Sequence, residues 1–330
     1  MQSLLALFHG LADPTRIRII ASLRTMELAI GELAVVLQQS QPRVSRHVRI
    51  LADAGLVARR REGGWVFLRL ENAAPMAELL ALFDSWPAGP EEQAIMTADR
   101  ARLDTVREER AATARRYFAD HAQEWDDIRA RHVAEGEVES AMLRLMHNRR
   151  LGHLLDIGTG TGRMAEIFAT TTRKITALDR SPEMLRIARA KLADRGIAAE
   201  LVQGDFTALP MAARTVDTVV MHQVLHFAHE PARVIAEVAR VLNPGGHLLI
   251  VDFAPHDQED LRTQAAHARL GFSDAQMRGW FASSGLLLET AQALAGDPLT
   301  IKLWLARRRS EEGQDDSADD TADKEKRMAA

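Results

Sequence analysis

The second half of the chain takes its fold from a short glycine-rich stretch, Asp156-Ile157-Gly158-Thr159-Gly160-Thr161-Gly162, which follows an apolar run and opens a segment with helical spacing. Glycines at alternating positions let the backbone turn tightly and approach a ligand at a helix N-terminus. The dinucleotide fingerprint G-x-G-x-x-G needs a glycine at the sixth position counted from Gly158, where this chain has Arg163. The stretch therefore predicts a ligand-binding loop and argues against NAD.

Outward from this loop, apolar runs with strand character alternate with helical patterns. Such alternation predicts an α/β, Rossmann-like fold with a mostly parallel seven-stranded sheet covered on both faces. The predicted strands are His153–Ile157, Lys174–Asp179, Ala199–Gly204, Val216–His222, Gly246–Phe253, Leu287–Ala293 and Thr300–Ala306. The predicted helices are Tyr117–Trp125, Glu137–Met146, Arg163–Thr170, Pro182–Arg195, Pro231–Val241 and Asp274–Ser283.

The N-terminal part of the chain predicts a separate α+β module, a winged helix-turn-helix. Asp13 is predicted to cap a helix that has Pro14 at its first position, and Ser40 to cap another with Pro42 in its first turn. Alternating runs around Glu62-Gly63-Gly64 signal a hairpin. The predicted helices are Ser3–His9, Pro14–Leu23, Ile30–Leu37, Ser40–Ala54 and Met76–Trp86, and the predicted hairpin strands are Leu56–Arg61 and Gly64–Leu70.

Charge is unevenly distributed, although the net charge of the chain is only −4. Six arginines and one acid lie between Ser40 and Arg61. The second helix of a helix-turn-helix enters the major groove, where arginine forks match guanine, and wing arginines suit phosphate or the minor groove. A solvated basic helix is the alternative interpretation. The predicted DNA-binding residues are Ser40, Gln41, Arg43, Ser45, Arg46, His47, Arg49, Arg59, Arg60 and Arg61.

Composition and chain breakers divide the 330 residues into two domains, a linker and a tail. The predicted parts are residues 1–86 for DNA binding and dimerisation, 87–116 for a linker helix, 117–307 for a ligand-binding domain, and 308–330 for an acidic disordered tail. The chain has no cysteine, which excludes disulfides and thiolate metal sites. It shows neither a signal peptide nor a long apolar span, so a cytoplasmic protein is expected.

Two phrases of the N-terminal module, Leu11–Ile20 and Ser40–Leu51, resemble the ArsR-type repressors. The resemblance implies a homodimer that pairs through its first and last helices, here Ser3–His9 and Met76–Trp86. Many members sense metals through cysteines on the third helix or through His and carboxylates on the last helix. This chain has no cysteine, and its last predicted helix has no histidine, so no metal site of the family type is expected.

The spacing D-x-G-x-G-x-G resembles the first motif of class I S-adenosylmethionine-dependent methyltransferases, and Leu242-Asn243-Pro244-Gly245-Gly246 is a turn typical of the same family. This resemblance covers about Arg115 to Arg307. It implies a class I methyltransferase fold with S-adenosylhomocysteine or S-adenosylmethionine as the ligand. The implied ligand-binding residues are Asp156, Gly158, Thr159, Gly160, Gly162, Asp179, Arg180, Met184, Gly204, Asp205, Phe206, His222 and Gln223.

Particular roles follow for several of these residues. Asp179 ends a predicted strand, where a carboxylate can accept both ribose hydroxyl hydrogens. By resemblance, Asp205 receives the adenine amino group, Met184 flanks the adenine and Phe206 packs on its ring. His226 is the candidate general base, and no metal is expected at the histidines around it.

By the same resemblance, the helix Tyr117–Trp125 roofs the ligand pocket, although Trp125 as an ordinary core residue is equally open. No Asn/Asp-Pro-Pro-Tyr/Phe sequence follows the fourth strand of the second domain, which disfavours methylation of nucleobase amino groups.

The two halves together resemble fused ArsR–methyltransferase-like regulators. The resemblance implies a repressor of methionine-cycle genes whose operator affinity responds to S-adenosylhomocysteine or S-adenosylmethionine. The order of segments along the chain alone leads us to expect that the charged stretch Asp99–Arg116, between the predicted dimer helix and the pocket roof, couples the ligand to DNA binding. One alternative is an active small-molecule methyltransferase with a DNA-binding domain. Another is a metal-responsive repressor with a vestigial second domain, which the missing cysteines oppose.

Overall fold

A computed structural model describes residues 2–62, 65–71, 74–85, 87–122, 125, 135–296 and 298–310. The predicted hairpin turn Gly63-Gly64, residue Trp86 and the tail from residue 311 onward lie outside these ranges. The chain divides into two units. The first holds the chain up to Ala114 together with Asp257–Ala266, and the second begins at Arg115, runs to His256 and resumes at His267.

The first unit is a winged helix-turn-helix, as predicted. Its strands form a three-stranded antiparallel sheet in the order β1-β3-β2. Its elements in chain order are α1 (Gln2–Leu11), α2 (Pro14–Thr25), β1 (Leu28–Ala29), α3 (Ile30–Leu37), α4 (Gln41–Asp53), β2 (Val57–Glu62), β3 (Trp65–Leu70), α5 (Ala74–Ser85) and the first part of α6 (Pro90–His121).

The two predicted helix caps of this unit behave differently. Asp13 caps α2 as expected, because its Oδ1 accepts hydrogen bonds from the backbone N–H groups of Thr15 at 2.8 Å and Arg16 at 3.2 Å. Ser40 occupies the N-cap position of α4 with extended backbone, but its side chain makes no capping hydrogen bond. The prediction that Ser40 caps through its hydroxyl is therefore wrong, and Pro42 in the first turn remains the local start signal.

The core of the first unit fixes which face of α4 is turned outward. Val44, Val48 and Leu51 of α4 are buried, and they pack with Ile20 of α2 and Leu33 of α3. Residues three and four apart share one helix face. The positions between them are therefore directed away from this core, as the sequence pattern predicts.

The helix α6 differs from the prediction, which places a linker helix at Asp99–Arg116 and a separate helix from Tyr117. One continuous helix runs from Pro90 to His121, and the two units divide within it. Charged residues of its first part have partners far away in the sequence. Asp99 pairs with Arg18 at 2.6 Å, and Arg110 donates to Glu32 at 2.7 Å. These pairs make part of the charged stretch a packed face of the first unit.

The segment Asp257–Ala266 belongs to the first unit although it lies between strands of the second in the chain. It contains the short helix α11 (Asp260–Gln264). The guanidinium of Arg262 lies over the Phe67 ring at 5.3 Å from its centroid, in cation–π geometry. No feature of the sequence predicts this excursion.

The second unit is a seven-stranded sheet in the order β6-β5-β4-β7-β8-β10-β9. Strands β4 to β8 are parallel, and β10 runs antiparallel to both of its neighbours. This is the predicted Rossmann-like, mostly parallel sheet. The strands are β4 (His153–Ile157), β5 (Lys174–Asp179), β6 (Glu200–Gln203), β7 (Val216–His222), β8 (Leu242–Phe253), β9 (Leu286–Leu294) and β10 (Ile301–Arg308).

Helices cover this sheet, and the direction in which strands are added reverses between β4 and β7, which creates a crevice at the carboxyl ends of these strands. The helices are α7 (Glu135–Met146), α8 (Arg163–Phe168), α9 (Pro182–Asp194), α10 (Pro231–Val241) and α12 (Asp274–Ser283), with a 3-10 helix at Leu225–Phe227. Within the described residues, none of the helices combines the length and the apolar character needed to cross a bilayer.

Replacing Asp13 by alanine should destabilise the first unit by about 1 kcal/mol, because two backbone N–H groups of α2 lose their acceptor. Urea unfolding of the full chain, followed by far-UV circular dichroism, measures this loss as a lower transition midpoint. The matched control is Ser40→Ala, which removes a cap residue without a side-chain hydrogen bond and should change the stability by less than about 0.5 kcal/mol. Equal losses in the two variants would contradict the assignment.

Candidate functional site

The glycine-rich loop leaves β4 in a conformation that needs glycine. Gly158, Gly160 and Gly162 have φ values of 68°, 54° and 92°, in the left-handed region. A Cβ on Gly158 would lie 2.4 Å from Cγ2 of Val224, which follows β7. The backbone is thus pressed against the end of the neighbouring strand, and no side chain fits between them.

Asp156, near the carboxyl end of β4, forms a hydrogen bond with this loop. The residue is 1% exposed, and its Oδ2 accepts a hydrogen bond of 2.6 Å from the hydroxyl of Thr159. The backbone N–H groups of Gly158 and Thr159 donate to the carbonyl oxygen of Leu178 at 2.8 and 3.0 Å. Asp156 therefore holds the loop in shape.

Asp179 ties the loop to the end of β5. Its Oδ2 accepts from the N–H of Gly160 at 2.8 Å and its Oδ1 from the N–H of Ser181 at 2.8 Å. Burial raises the pKa of Asp179 above its ordinary value, and the hydrogen bonds from these backbone groups oppose the shift. Each carboxylate oxygen keeps a lone pair for a further donor, such as a ribose hydroxyl.

The predicted adenine contacts follow β5 and β6. Asp205 Oδ1 accepts from the N–H of Thr207 at 2.8 Å and from its hydroxyl at 2.6 Å, and Arg180 lies 3.7 Å from the other carboxylate oxygen. Met184 is fully buried, and Phe206 is partly buried against the core. Asp205 thus builds the turn after β6, and its adenine contact stays a prediction.

A histidine–carboxylate pair follows β7, and only its histidine was predicted from the sequence. Gln223 has a left-handed φ of 54°, and its N–H donates to the carbonyl oxygen of Val251 at 2.7 Å. Beyond it, Nδ1 of His226 lies 2.8 Å from Oδ1 of Asp252. The sequence analysis missed Asp252, although a carboxylate near the end of the apolar run Leu248–Val251 was a usable signal.

Aromatic residues stand beside this loop. A Cβ placed on Gly160 would lie 3.2 Å from Nε1 of Trp125, so the indole faces the glycine loop directly. Phe118, near the end of α6, lies 5.4 Å from Trp125 and 4.8 Å from Phe227 between ring centroids. The position of Trp125 agrees with the predicted roof, whereas its neighbours Glu124 and Asp126 lie outside the described residues.

The predicted DNA-binding residues of the first unit differ in exposure. Gln41, Arg43, Arg46 and Arg49 are exposed on α4, as are Ser40 before it and Arg59 and Arg61 on β2. Ser45 and His47 are half-buried, and the His47 ring lies 3.8 Å from the carboxylate of Asp13.

Arg60 stands apart from this basic face. Its guanidinium lies 3.1 Å from the carboxylate of Glu27 and over the ring of Phe67. Successive side chains of a strand point to opposite faces, so Arg60 is directed away from the side of its two neighbours. The structure therefore gives Arg60 a partner within the protein, and its DNA contact stays a prediction.

Comparison with known proteins decides the family. A model of the bacterial regulatory proteins of the arsR family matches residues 13–59. The arsenical resistance operon repressor of Escherichia coli (strain K12) is 35% identical over 97 residues, which make up 29% of this chain and 83% of that repressor. The chain belongs to the ArsR family. Its first unit is thus an ArsR-type DNA-binding domain.

A methyltransferase domain follows in the same chain, since a model of that name matches residues 155–250. A demethylmenaquinone methyltransferase of Renibacterium salmoninarum is 35% identical over 101 residues, covering 31% of this chain and 41% of that enzyme. A phosphatidylethanolamine N-methyltransferase of Cereibacter sphaeroides is 36% identical over 116 residues, covering 34% of this chain and 57% of that enzyme. The chain spans less than two thirds of either enzyme. The predicted fusion of an ArsR-type regulator with a methyltransferase domain is confirmed.

The loop fits the S-adenosyl ligand that a methyltransferase domain implies. The loop from Gly158 to Gly162 forms a cradle in which a Cβ on Gly158 would collide with Val224. The carboxylate of Asp179, at the end of the next strand, accepts a hydrogen bond from this loop. Backbone groups at a helix N-terminus and an acidic residue after the second strand suit the methionine and ribose parts of such a ligand. When bound, S-adenosylmethionine supplies a transferable methyl group.

Replacing Gly158 by alanine should abolish binding of S-adenosylhomocysteine, with at least a hundredfold loss of affinity in isothermal titration calorimetry. The new Cβ collides with Val224 at a positive φ. Gly196→Ala is the matched control, because Gly196 has φ +66° and nothing within 4 Å of its would-be Cβ. It carries similar backbone strain without the collision, so its affinity should stay within about threefold of wild type. If the Gly158 variant binds S-adenosylhomocysteine as tightly as the wild type, the glycine loop is not the binding site.

Proposed function

We propose that this ArsR-family protein is a transcriptional repressor whose affinity for operator DNA is set by S-adenosylhomocysteine or S-adenosylmethionine bound at the glycine loop. One observation carries the proposal: an ArsR-type domain shares its chain with a methyltransferase domain whose ligand cradle, from Gly158 to Asp179, is intact. A regulator without a small-molecule signal would not need this glycine-dependent geometry.

The proposed DNA-reading surface is the outer face of α4 and one side of the wing. Arg43, Arg46 and Arg49 project from α4, where the groove-facing helix of such a domain meets base edges, and Arg59 and Arg61 lie on the wing. Ser40, Gln41, Ser45 and His47 complete the predicted face at the start and side of the helix. Arg60, held by Glu27, is left out of it.

The proposed ligand sits with its methionine part at the glycine loop and its ribose on Asp179. The remaining predicted contacts, from β6 and β7, surround the crevice where the two halves of the sheet diverge. Both adenosyl compounds are the input and output of methyl transfer, so a repressor that binds them reports on methylation status. This chemistry supports genes of the methionine cycle as targets, as does the resemblance to fused regulators.

Coupling between the two activities requires that the ligand bind the DNA-competent and DNA-incompetent states with different affinity. A tenfold change in DNA affinity needs about 1.4 kcal/mol of such a difference. Chain connectivity offers two routes. The helix α6 begins in the ArsR-type unit, and near its end Phe118 packs on Trp125, which faces the glycine loop. The segment Asp257–Ala266 lies between strands of the methyltransferase domain in the chain but belongs to the first unit.

A homodimer is part of the proposal. The helices predicted to pair, α1 and α5, expose large apolar side chains, with Leu5 69%, Phe8 59% and Leu82 49% accessible. Exposed apolar side chains on both helices support association of two copies through them.

The decisive measurement is the dissociation constant for DNA with each adenosyl compound separately. Duplexes are selected from a random-sequence pool by the full-length protein with and without S-adenosylhomocysteine, and binding is then followed by fluorescence anisotropy. We expect at least a tenfold change with S-adenosylhomocysteine or S-adenosylmethionine, and none with adenosine or Zn²⁺. The Asp179→Asn variant should lose this response yet retain the ligand-free affinity. Identical DNA affinities with and without both adenosyl compounds would refute the proposed regulation.

Arg46→Ala should cost about 1–3 kcal/mol on the selected operator if Arg46 reads a base edge. The same variant should lose much less on a shuffled duplex at equal salt, which the anisotropy titration measures. Arg107→Ala is the control, because Arg107 is an exposed arginine on α6 that pairs with Asp104 and is not among the predicted DNA-binding residues. An equal loss on both duplexes would instead assign Arg46 to a phosphate contact.

A further inference from the structure

A buried histidine–carboxylate pair stands beside the ligand loop, and the proposed regulation makes no use of it. The side chains of His226 and Asp252 are 3% and 0% exposed, and Nδ1 of His226 lies 2.8 Å from Oδ1 of Asp252. Asp252 also accepts from the backbone N–H of His226 at 3.1 Å and of Phe253 at 2.8 Å. Three donors therefore hold this carboxylate in one orientation.

This arrangement assigns the imidazole tautomer. Because a carboxylate accepts at Nδ1, that nitrogen carries the hydrogen, and Nε2 presents its lone pair. In the described part of the chain, Nε2 of His226 makes no hydrogen bond. Nε2 of His226 is not among the unpaired side-chain atoms that are closed off from solvent, so it is accessible to a hydrogen-bond donor of a bound molecule.

Flat rings surround the imidazole. Its centroid lies 4.0 Å from that of Phe227, 4.1 Å from His267 and 5.1 Å from Phe253. Phe118 extends this wall from the other side, 4.8 Å from Phe227. Aromatic walls favour a planar guest, which stacks or packs edge-on against them.

The aromatic wall adjoins the proposed adenosyl site through direct contacts. Trp125 faces Gly160 of the glycine loop and packs on Phe118. Val224, which presses on Gly158, is only two residues before His226. A molecule held against the His226 ring would therefore lie next to the ligand that the glycine loop binds.

We propose that the aromatic surroundings of His226 bind a planar phenol as methyl acceptor, with His226 as the catalytic base and Asp252 as its positioning residue. The proposal shares the adenosyl site with the proposed function and adds methyl transfer to it. A phenolic hydroxyl is the matching chemistry, because oxygen must lose its proton to become a good nucleophile and phenols ionise far more readily than aliphatic alcohols.

The step balances as a simple displacement. Nε2 of His226 takes the phenolic proton, and the freed electron pair of the oxygen forms a bond to the methyl carbon of S-adenosylmethionine. The carbon–sulfur bond breaks with its electrons passing to sulfur, which leaves a methyl ether and S-adenosylhomocysteine. His226 then returns its proton to water. Asp252 keeps the imidazole in the correct tautomer and stabilises its charged form, as carboxylates do for histidine bases.

The first test measures binding and needs no turnover. Full-length protein saturated with S-adenosylhomocysteine is titrated with phenol, catechol and 2-naphthol, and with anisole as the analogue that has no proton to give. We expect at least one phenol to bind tenfold more tightly than anisole and to shift the Nε2 signal of His226 in ¹⁵N NMR. If no phenol binds, or if the His226 signals do not move, the acceptor site is refuted.

The second test follows transfer of a labelled methyl group to the phenol that binds. His226→Gln should lower the rate at least a hundredfold, the scale of a lost general base, while S-adenosylhomocysteine binds within about threefold of wild type. His229→Gln, a neighbouring half-buried histidine, is the control and should stay within twofold. An undiminished rate in the His226 variant would overturn the role of this base.

The role of Asp252 is tested by two measurements that a merely structural residue would not change, the tautomer of His226 and the pH dependence of the rate. In Asp252→Asn, the amide can turn its NH₂ toward Nδ1, so the ¹⁵N spectrum should show the other tautomer and the acid limb of the pH–rate profile should shift. An unchanged tautomer and profile would remove Asp252 from the mechanism. Calorimetry with S-adenosylhomocysteine separates the proposals: no binding defeats both, whereas binding with a DNA response but no phenol affinity defeats only this one.

Discussion

The close approach of the β4 loop to its neighbours is the constraint on which the ligand site depends. Val224 presses against Gly158 where a Cβ would need to be, and the N–H of Gly160 is held by Asp179 at 2.8 Å. These contacts join the residues at the ends of β4, β5 and β7, and they therefore fix the backbone of the loop relative to its two neighbouring strands. A backbone that could relax there would lose the hydrogen bond between the N–H of Gly160 and the carboxylate of Asp179.

A second constraint is the pairing of charges along α6. Asp99 with Arg18, and Arg110 with Glu32, convert a sequence that resembles a solvated linker into a packed element of the ArsR-type unit. The same helix ends with Phe118 among the aromatic rings of the methyltransferase domain. The helix α6 thus belongs in part to each unit, and the proposed coupling between ligand binding and DNA binding rests on this connectivity.

Much of the fold was readable in advance, because its signals are local. The strands, the capping of α2 by Asp13 and the buried stripe of α4 follow from residue spacing, cap chemistry and periodicity. The sequence did not predict which face of the wing each arginine occupies. Three consecutive arginines look equivalent as a basic cluster, but side chains alternate along a strand, and Arg60 forms an ion pair with Glu27. Likewise, His226 was identified as a candidate base, but its partner Asp252 was missed.

The sequence alone determined the two-part architecture, the glycine-dependent loop and the basic face of α4, since each is written in neighbouring residues or at helical and strand spacing. Only the tertiary structure decided which charges pair along α6, that Arg60 of the wing pairs with Glu27, and that Asp252 contacts His226. These contacts join residues that are 81, 33 and 26 positions apart. No local pattern encodes such a distance, because chain folding brings those partners together.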